Sequence, residues 1–154
     1  MTNLGYKVIQ ALEGKTLCTA ESCTGGGIGS HITAIPGSSA VYKGGIISYC
    51  DEIKHRLLHV DLDTLVAHGA VSAQVAQAMA VGAKKVLAAD IAVSVTGLAG
   101  PGSDDYGNQV GTVFLGYADD KSVFSREFHF AGDRETVRDQ AIRNALLLIL
   151  EMNT

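Results

Sequence analysis

The stretch Thr16-Leu17-Cys18-Thr19-Ala20 is short, apolar and β-branched, and it runs through Glu21-Ser-Cys-Thr-Gly-Gly26 into a segment carrying Ile28, Ile32 and Ile35. The first pattern reads as a buried strand and the second as one face of a helix. A strand turning through Ser and Gly straight into a helix is the repeating unit of α/β folds. Such a turn leaves the first helical amides without intrahelical partners. Those amides and the helix dipole favour negative charge close by. A hydroxyl or thiol set just before them can attack a carbonyl whose oxyanion the amides then stabilise. Ser22 and Cys23 both stand there.

The remaining chain continues the alternation. Leu4 to Leu12 reads as a short helix stopped by Gly14, and the helix after the Gly-rich turn ends before Pro36-Gly37. Val41 to Cys50 reads as a mostly buried strand despite Gly44-Gly45. Asp51 is placed to cap a short helix to Leu58, Asp61 or Asp63 to open another, and Ser72 to cap a longer one. In that longer helix Val75, Met79, Gly82 and Val86 share a face, and Gly82 suits close packing. Ile91 to Thr96 is a buried strand followed by an irregular loop. Gly111 to Ala118 and Ser122 to Phe130 are two strands whose short connection implies an antiparallel hairpin. Asp133 opens a final helix. Strands alternating with helices and ending in a hairpin predict an α/β three-layer sandwich, with a mixed sheet and helices on both faces.

Composition narrows the function classes. At 154 residues, 47% hydrophobic and 18% charged, the chain predicts one domain over 1–154 with a genuine core. A net charge of −4 without a basic block argues against a nucleic-acid partner, and 6% aromatics without Trp argues against a base-stacking platform. Cys18, Cys23 and Cys50 lack metal-ligand spacing and imply reduced thiols. No Walker-type phosphate loop or metal cluster is present, so no metal and no resident cofactor is predicted. Ser22 to Tyr42 has no Asp, Glu, Lys or Arg, but His31, Pro36 and several glycines interrupt it, which does not suit a membrane span. The start lacks a signal-peptide core. These features predict a soluble cytoplasmic protein with no membrane partner.

Ser22 has two readings: a nucleophile, or the cap of the following helix. Cys23 is the intrinsically better nucleophile but needs thiolate character, and its other reading is a buried structural thiol. Either nucleophile needs a base. None of His31, His55, His59, His68 and His129 sits in a recognisable triad context. Lys54, just past Tyr49, is the alternative, provided that the strands ending near Ala20 and Cys50 are neighbours opening on one crevice. Burial lowers a lysine's pKa far enough to make it a base, whereas an ordinary Lys54 is a surface ion-pairing residue. Lys15 and Lys43 are less well placed. Gly97, Gly100 and Gly102 around Pro101 let backbone approach a ligand closely. Gly132-Asp133-Arg134 joins helix amides to a guanidinium, a clamp for phosphate or carboxylate or simply a cap beside a solvated Arg.

Taken together, Thr19-Ala-Glu-Ser-Cys-Thr-Gly-Gly26, Gly44-Gly-Ile-Ile-Ser-Tyr49 with Lys54, His68-Gly-Ala-Val-Ser72, Thr96-Gly-Leu-Ala-Gly-Pro-Gly102, Val110-Gly-Thr-Val113 and Gly132-Asp-Arg134 resemble, in order, the motifs of the CinA C-terminal domain family. That family includes nicotinamide-nucleotide amidohydrolases. The resemblance runs from about residue 8 to 150. It implies hydrolysis of the carboxamide of nicotinamide mononucleotide (NMN) by a Ser/Lys pair, here Ser22 and Lys54, with Tyr49 relaying or orienting the proton. With the residue reading above, it predicts substrate contacts from Cys23, Thr24, Gly25, Gly26, Gly97, Gly100, Pro101 and Arg134, and the resemblance implies assembly as a homodimer or higher homo-oligomer. Two departures bear on substrate preference: Cys50-Asp51 stands where relatives commonly show Ser-Asn, and Ser103-Asp104-Asp105 replaces a Gly-rich stretch. Larger CinA proteins carry a further N-terminal domain, and the length of this chain implies a stand-alone deamidase. A non-catalytic nucleotide-binding module, and the same hydrolysis by Cys23, are the rival readings.

Overall fold

A computed structural model describes every residue from Met1 to Thr154. Its centre is a five-stranded sheet in the order β2-β1-β3-β4-β5. The strands are β1 (Leu17–Glu21), β2 (Tyr42–Ile47), β3 (Ile91–Gly97), β4 (Thr112–Ala118) and β5 (Val123–His129). β1 pairs parallel with β2 and with β3, while β3–β4 and β4–β5 are antiparallel. The predicted mixed sheet and late hairpin are therefore present. Asp119 fixes the hairpin turn, its Oδ1 accepting from the Lys121 and Ser122 amides at 2.8 and 2.7 Å, as Asp does in tight turns.

Helices cover both faces. α1 (Thr2–Ala11), α2 (Gly27–Thr33) and α6 (Arg134–Met152) share one core with the large side chains Leu17, Ile91, Val93, Val95, Val113, Leu115 and Tyr117. α3 (Asp51–Leu58), α4 (Leu62–His68) and α5 (Ala73–Val86) pack on the other face, where the sheet offers Cys18, Ala20, Ala92 and Ala118. Alternate strand residues point to opposite faces, so bulk is sorted by position. The small face brings α5 close to the sheet. A Cβ on Gly116 would overlap the Ala76 carbonyl, and one on Gly82 would overlap that of Leu58. Gly82 thus permits the close packing read from the sequence.

Ser72 and Asp133 cap as expected, accepting from the amides of Val75 (3.2 Å) and Thr136 (2.9 Å). Asp51 does not cap α3. It is the first helical residue, Cys50 precedes it, and no side-chain cap bond forms; Asp51 instead places negative charge at the helix's positive end. The strand expected across Val41 to Cys50 is shorter and stops at Ile47. Its last cross-strand bond runs from the Ser48 amide to the Glu21 carbonyl at 2.8 Å, after which the chain leaves the sheet to start α3. A 3₁₀ turn at Ser38–Ala40 had no sequence signal.

Candidate active site

The carboxyl ends of the three parallel strands meet in a cleft of about 490 Å³, within the range of small-molecule sites. Ser22 follows β1, Tyr49 follows β2, and Thr96 and Gly97 close β3. α3 brings Asp51 and Lys54, α6 brings Arg134, and the loop after β3 brings Leu98 to Gly100 and Gly102 to Tyr106. The crevice is where open α/β sheets place ligands.

Lys54 is 1% exposed. Its Nζ donates to Ser22 Oγ at 3.1 Å and to the Ser48 carbonyl at 2.7 Å. Burial pulls its pKa below the ordinary lysine value, against the nearby Asp51 carboxylate, which favours the ammonium. A buried amine with a lowered pKa carries a free lone pair at lower pH than an ordinary lysine. Ser22 itself is 8% exposed and lines the cleft.

Ser22 is not the cap of α2. The helix begins at Gly27 after Gly26, and the capping is done by Glu21, which sequence reasoning passed over. The Glu21 carboxylate accepts from the Ile28 and Gly29 amides at 2.8 and 3.0 Å. The negative charge that the helix N-terminus favours is therefore internal. Two acceptors remain to the turn itself. The Ser22 carbonyl takes the Gly25 amide at 3.0 Å and the Thr24 carbonyl takes that of Gly27 at 3.0 Å. The Cys23 and Thr24 amides donate to no other residue. Arg138, also missed, reaches in from α6, with Nε on the Cys23 carbonyl at 3.0 Å and a terminal nitrogen on that of Thr24 at 3.1 Å.

Of the other expected site residues, Cys23, Gly97, Gly100 and Arg134 line the cleft with Tyr49. Thr24, Gly25, Gly26 and Pro101 do not. The Thr24 hydroxyl turns inward to Glu21 at 2.7 Å, the Gly25 amide is spent on Ser22, and Gly26 shapes the turn at φ 101°. Pro101 is exposed outside the cleft wall. Tyr49 is not bonded to the Ser–Lys pair. Its hydroxyl accepts from Arg134 at 2.8 Å, and the same guanidinium donates to the Gly100 carbonyl at 2.8 Å. These contacts tie the ends of β2 and α6 to the glycine loop. The far wall is fastened by Tyr106, whose hydroxyl donates to the Val66 carbonyl at 2.8 Å, and by Asn108, which donates to Asp104 at 2.7 Å. Burial pushes the Cys23 thiol up to about 11, the neighbouring Lys54 and Arg138 only partly opposing it. No histidine lines the cleft.

The arrangement defines a class: an α/β sandwich with a hydroxyl and a buried amine in contact at the strand ends, beside a backbone amide, that of Cys23, which donates to no other residue. The chain belongs to the CinA family, whose C-terminal domain matches residues 2–153. Relatives include a CinA-like protein of Geobacter sp. (strain M21), 50% identical over 125 residues, which are 81% of this chain and 30% of that protein. A CinA-like protein of Thermosynechococcus vestitus is 49% identical over 138 residues, 88% of this chain and 33% of its own length. The chain thus spans about a third of the curated relatives it matches. Among solved structures, a CinA superfamily protein from Klebsiella pneumoniae superposes with a TM-score of 0.94 at 36% identity, over 97% of this chain and 95% of that one. The competence/damage-inducible protein CihA of Agrobacterium tumefaciens gives 0.95 at 37% identity, over 99% and 95%. No helix of the chain is long and apolar enough to cross a membrane.

Proposed function

We infer that the protein is an amidohydrolase that converts NMN to nicotinate mononucleotide and ammonia through a Ser/Lys mechanism. The observation that carries this reading is the buried Lys54 amine 3.1 Å from Ser22 Oγ inside the cleft. Family membership supports it. Neutral Lys54 takes the Ser22 proton as Oγ attacks the carboxamide carbon. The Cys23 amide, at the cleft wall beside Ser22, receives the oxyanion. Collapse breaks the C–N bond, and the Lys54 ammonium gives its proton to the departing nitrogen as ammonia. Water, deprotonated by the same amine, then cleaves the ester and frees the carboxylate and Ser22. The Ser48 carbonyl holds one N–H of Lys54 and keeps the amine beside the hydroxyl, to which the neutral form turns its lone pair. Tyr49 and Arg134 act at the other end of the substrate, on its ribose and phosphate.

Hydrolysis by Cys23 fits less well, because a thiol pushed up to about 11 is protonated at neutral pH. The test is a coupled ammonia assay over a small panel of pyridine nucleotides, with Ser22→Ala as control. Ammonia from NMN that disappears in Ser22→Ala supports the reading. NMN binding by calorimetry with no ammonia formed replaces it with a nucleotide-binding module.

A further inference from the structure

Glu21 directly precedes Ser22 and is 2% exposed, a costly place for a carboxyl unless its oxygens are bonded. Its two oxygens accept four hydrogen bonds. Oε1 accepts from the Thr24 hydroxyl at 2.7 Å and the Ile28 amide at 2.8 Å. Oε2 accepts from the Gly29 amide at 3.0 Å and the Thr19 hydroxyl at 3.2 Å. Thr19 is itself in contact with the Tyr42 hydroxyl at 2.6 Å. One carboxyl therefore joins β1, the turn after Ser22, the start of α2 and, through Thr19, the edge strand β2. Bonds of this kind are strong and mutually reinforcing in a dry interior.

The peptide planes of the turn are pinned from the opposite side. The Ser22 carbonyl is held by the Gly25 amide, and the Cys23 carbonyl by Arg138. In a trans peptide the N–H points away from its own carbonyl. Holding those two carbonyls therefore aims the Cys23 and Thr24 amides away from the anchors. Glu21 adds the tether on the helix side, gripping the Thr24 side chain and the first amides of α2.

We propose that Glu21 is a positioning residue for acyl transfer at Ser22. It acts through the Thr24 side chain and the first turn of α2 to hold the turn, and with it the Cys23 amide, where the oxyanion forms. This role rests on Ser22 being the nucleophile of the proposed hydrolysis. Positioning of this kind affects the transition state more than ground-state binding, so its loss lowers kcat and leaves KM nearly alone.

The experiment uses the full chain as wild type, Glu21→Gln, Thr24→Val and Thr24→Ser. Three quantities are followed: kcat and KM for ammonia release from NMN, the rate of Ser22 labelling by a fluorophosphonate, and the melting temperature. Gln presents an N–H₂ where the Glu21 carboxylate now accepts, and Val removes the Thr24 donor at nearly constant shape. Each is expected to lower kcat by about 10–10²-fold, the cost of a small misplacement of reacting groups. KM should stay within about threefold, and labelling should slow in the same order. Thr24→Ser should recover most of what Thr24→Val loses. A folded Glu21→Gln with wild-type kcat, or a Thr24→Ser as slow as Thr24→Val, overturns the role. If Glu21→Gln does not fold, the Thr24 pair decides. If wild type releases no ammonia from NMN, the hydrolysis of that substrate fails by itself. Fluorophosphonate labelling that still slows in the stated order then supports Glu21, and a Ser22 that takes no label overturns it.

Discussion

The Lys54 amine bridges Ser22 Oγ at 3.1 Å and the Ser48 carbonyl at 2.7 Å, so residues following two adjacent parallel strands meet through one side chain of the helix after the second. The carbonyl contact matters as much as the hydroxyl contact. It fixes the direction of the amine without adding a negative charge that would hold it protonated.

Removing either member of the pair should abolish turnover while leaving the fold. Ser22→Ala is expected to reduce ammonia release to background. Lys54→Met should cost about 10²–10⁴-fold in kcat, the usual worth of a general base. Steady-state kinetics with circular dichroism to confirm folding checks both.

The pH behaviour follows from the depressed pKa of Lys54. Activity should rise with pH as the ammonium loses its proton, giving one ascending limb below the ordinary lysine range. The same shift makes stability pH-dependent. Below the folded pKa both states are protonated and the folded state carries the full cost of a buried ammonium. Between the folded pKa and the unfolded value of 10.5 the unfolded state binds more protons, so stability rises with pH through that window. Denaturant titrations at several pH values should show this slope in wild type and a flatter one in Lys54→Met.

Cys23→Ala should keep activity within a few-fold, because the backbone amide at 23 is retained and the thiol takes no part. Iodoacetamide should modify the exposed Cys50 well before the buried Cys18 and Cys23. Mass mapping of the labelled sites, alongside an activity time course, tests both statements. Early loss of activity that tracks labelling of Cys23 would restore the thiol as nucleophile.

Arg134→Ala should raise KM for NMN by about 10–10²-fold, the value of a hydrogen bond to a charged group. It should change KM for the phosphate-free nicotinamide riboside far less. Tyr49→Phe should produce a milder version of the same effect, since its hydroxyl is bonded to Arg134 and not to Lys54. Comparing the two substrates separates anion binding from chemistry. A kcat collapse in Tyr49→Phe would instead place the hydroxyl on the proton path.

Gly82→Ala and Gly116→Ala should each destabilise by about 1–3 kcal/mol, as overpacking does, because the added methyl meets a backbone carbonyl that cannot swing aside. Urea unfolding monitored by circular dichroism reads this directly, and the midpoint should fall with little change in slope.

The order of elements was legible in the chain because it depends on local signals. Apolar runs marked the strands, Ser72 and Asp133 announced their helices, and the Asp119-Asp120-Lys121 connection forced a hairpin. Ser22, Lys54 and Arg134 could be picked out by residue type and by their place at strand or helix ends. Glu21 and Arg138 could not. Glu21 sits at the end of a strand, where a charged residue reads as solvated, and Arg138 looks like any exposed position on a helix. Their partners lie on other elements, 7 or 8 residues away for the α2 amides and 114 or 115 for the Arg138 carbonyls. For the same reason the sequence places Tyr49 beside Lys54 but gives no sign of its hydroxyl's partner, Arg134, 85 residues further along. Local sequence therefore determined which segments fold into which elements and which side chains are chemically able. Only the packed structure decided which of them touch, because burial and strand pairing set the distances and the lysine's protonation, and neither is a property of neighbouring residues.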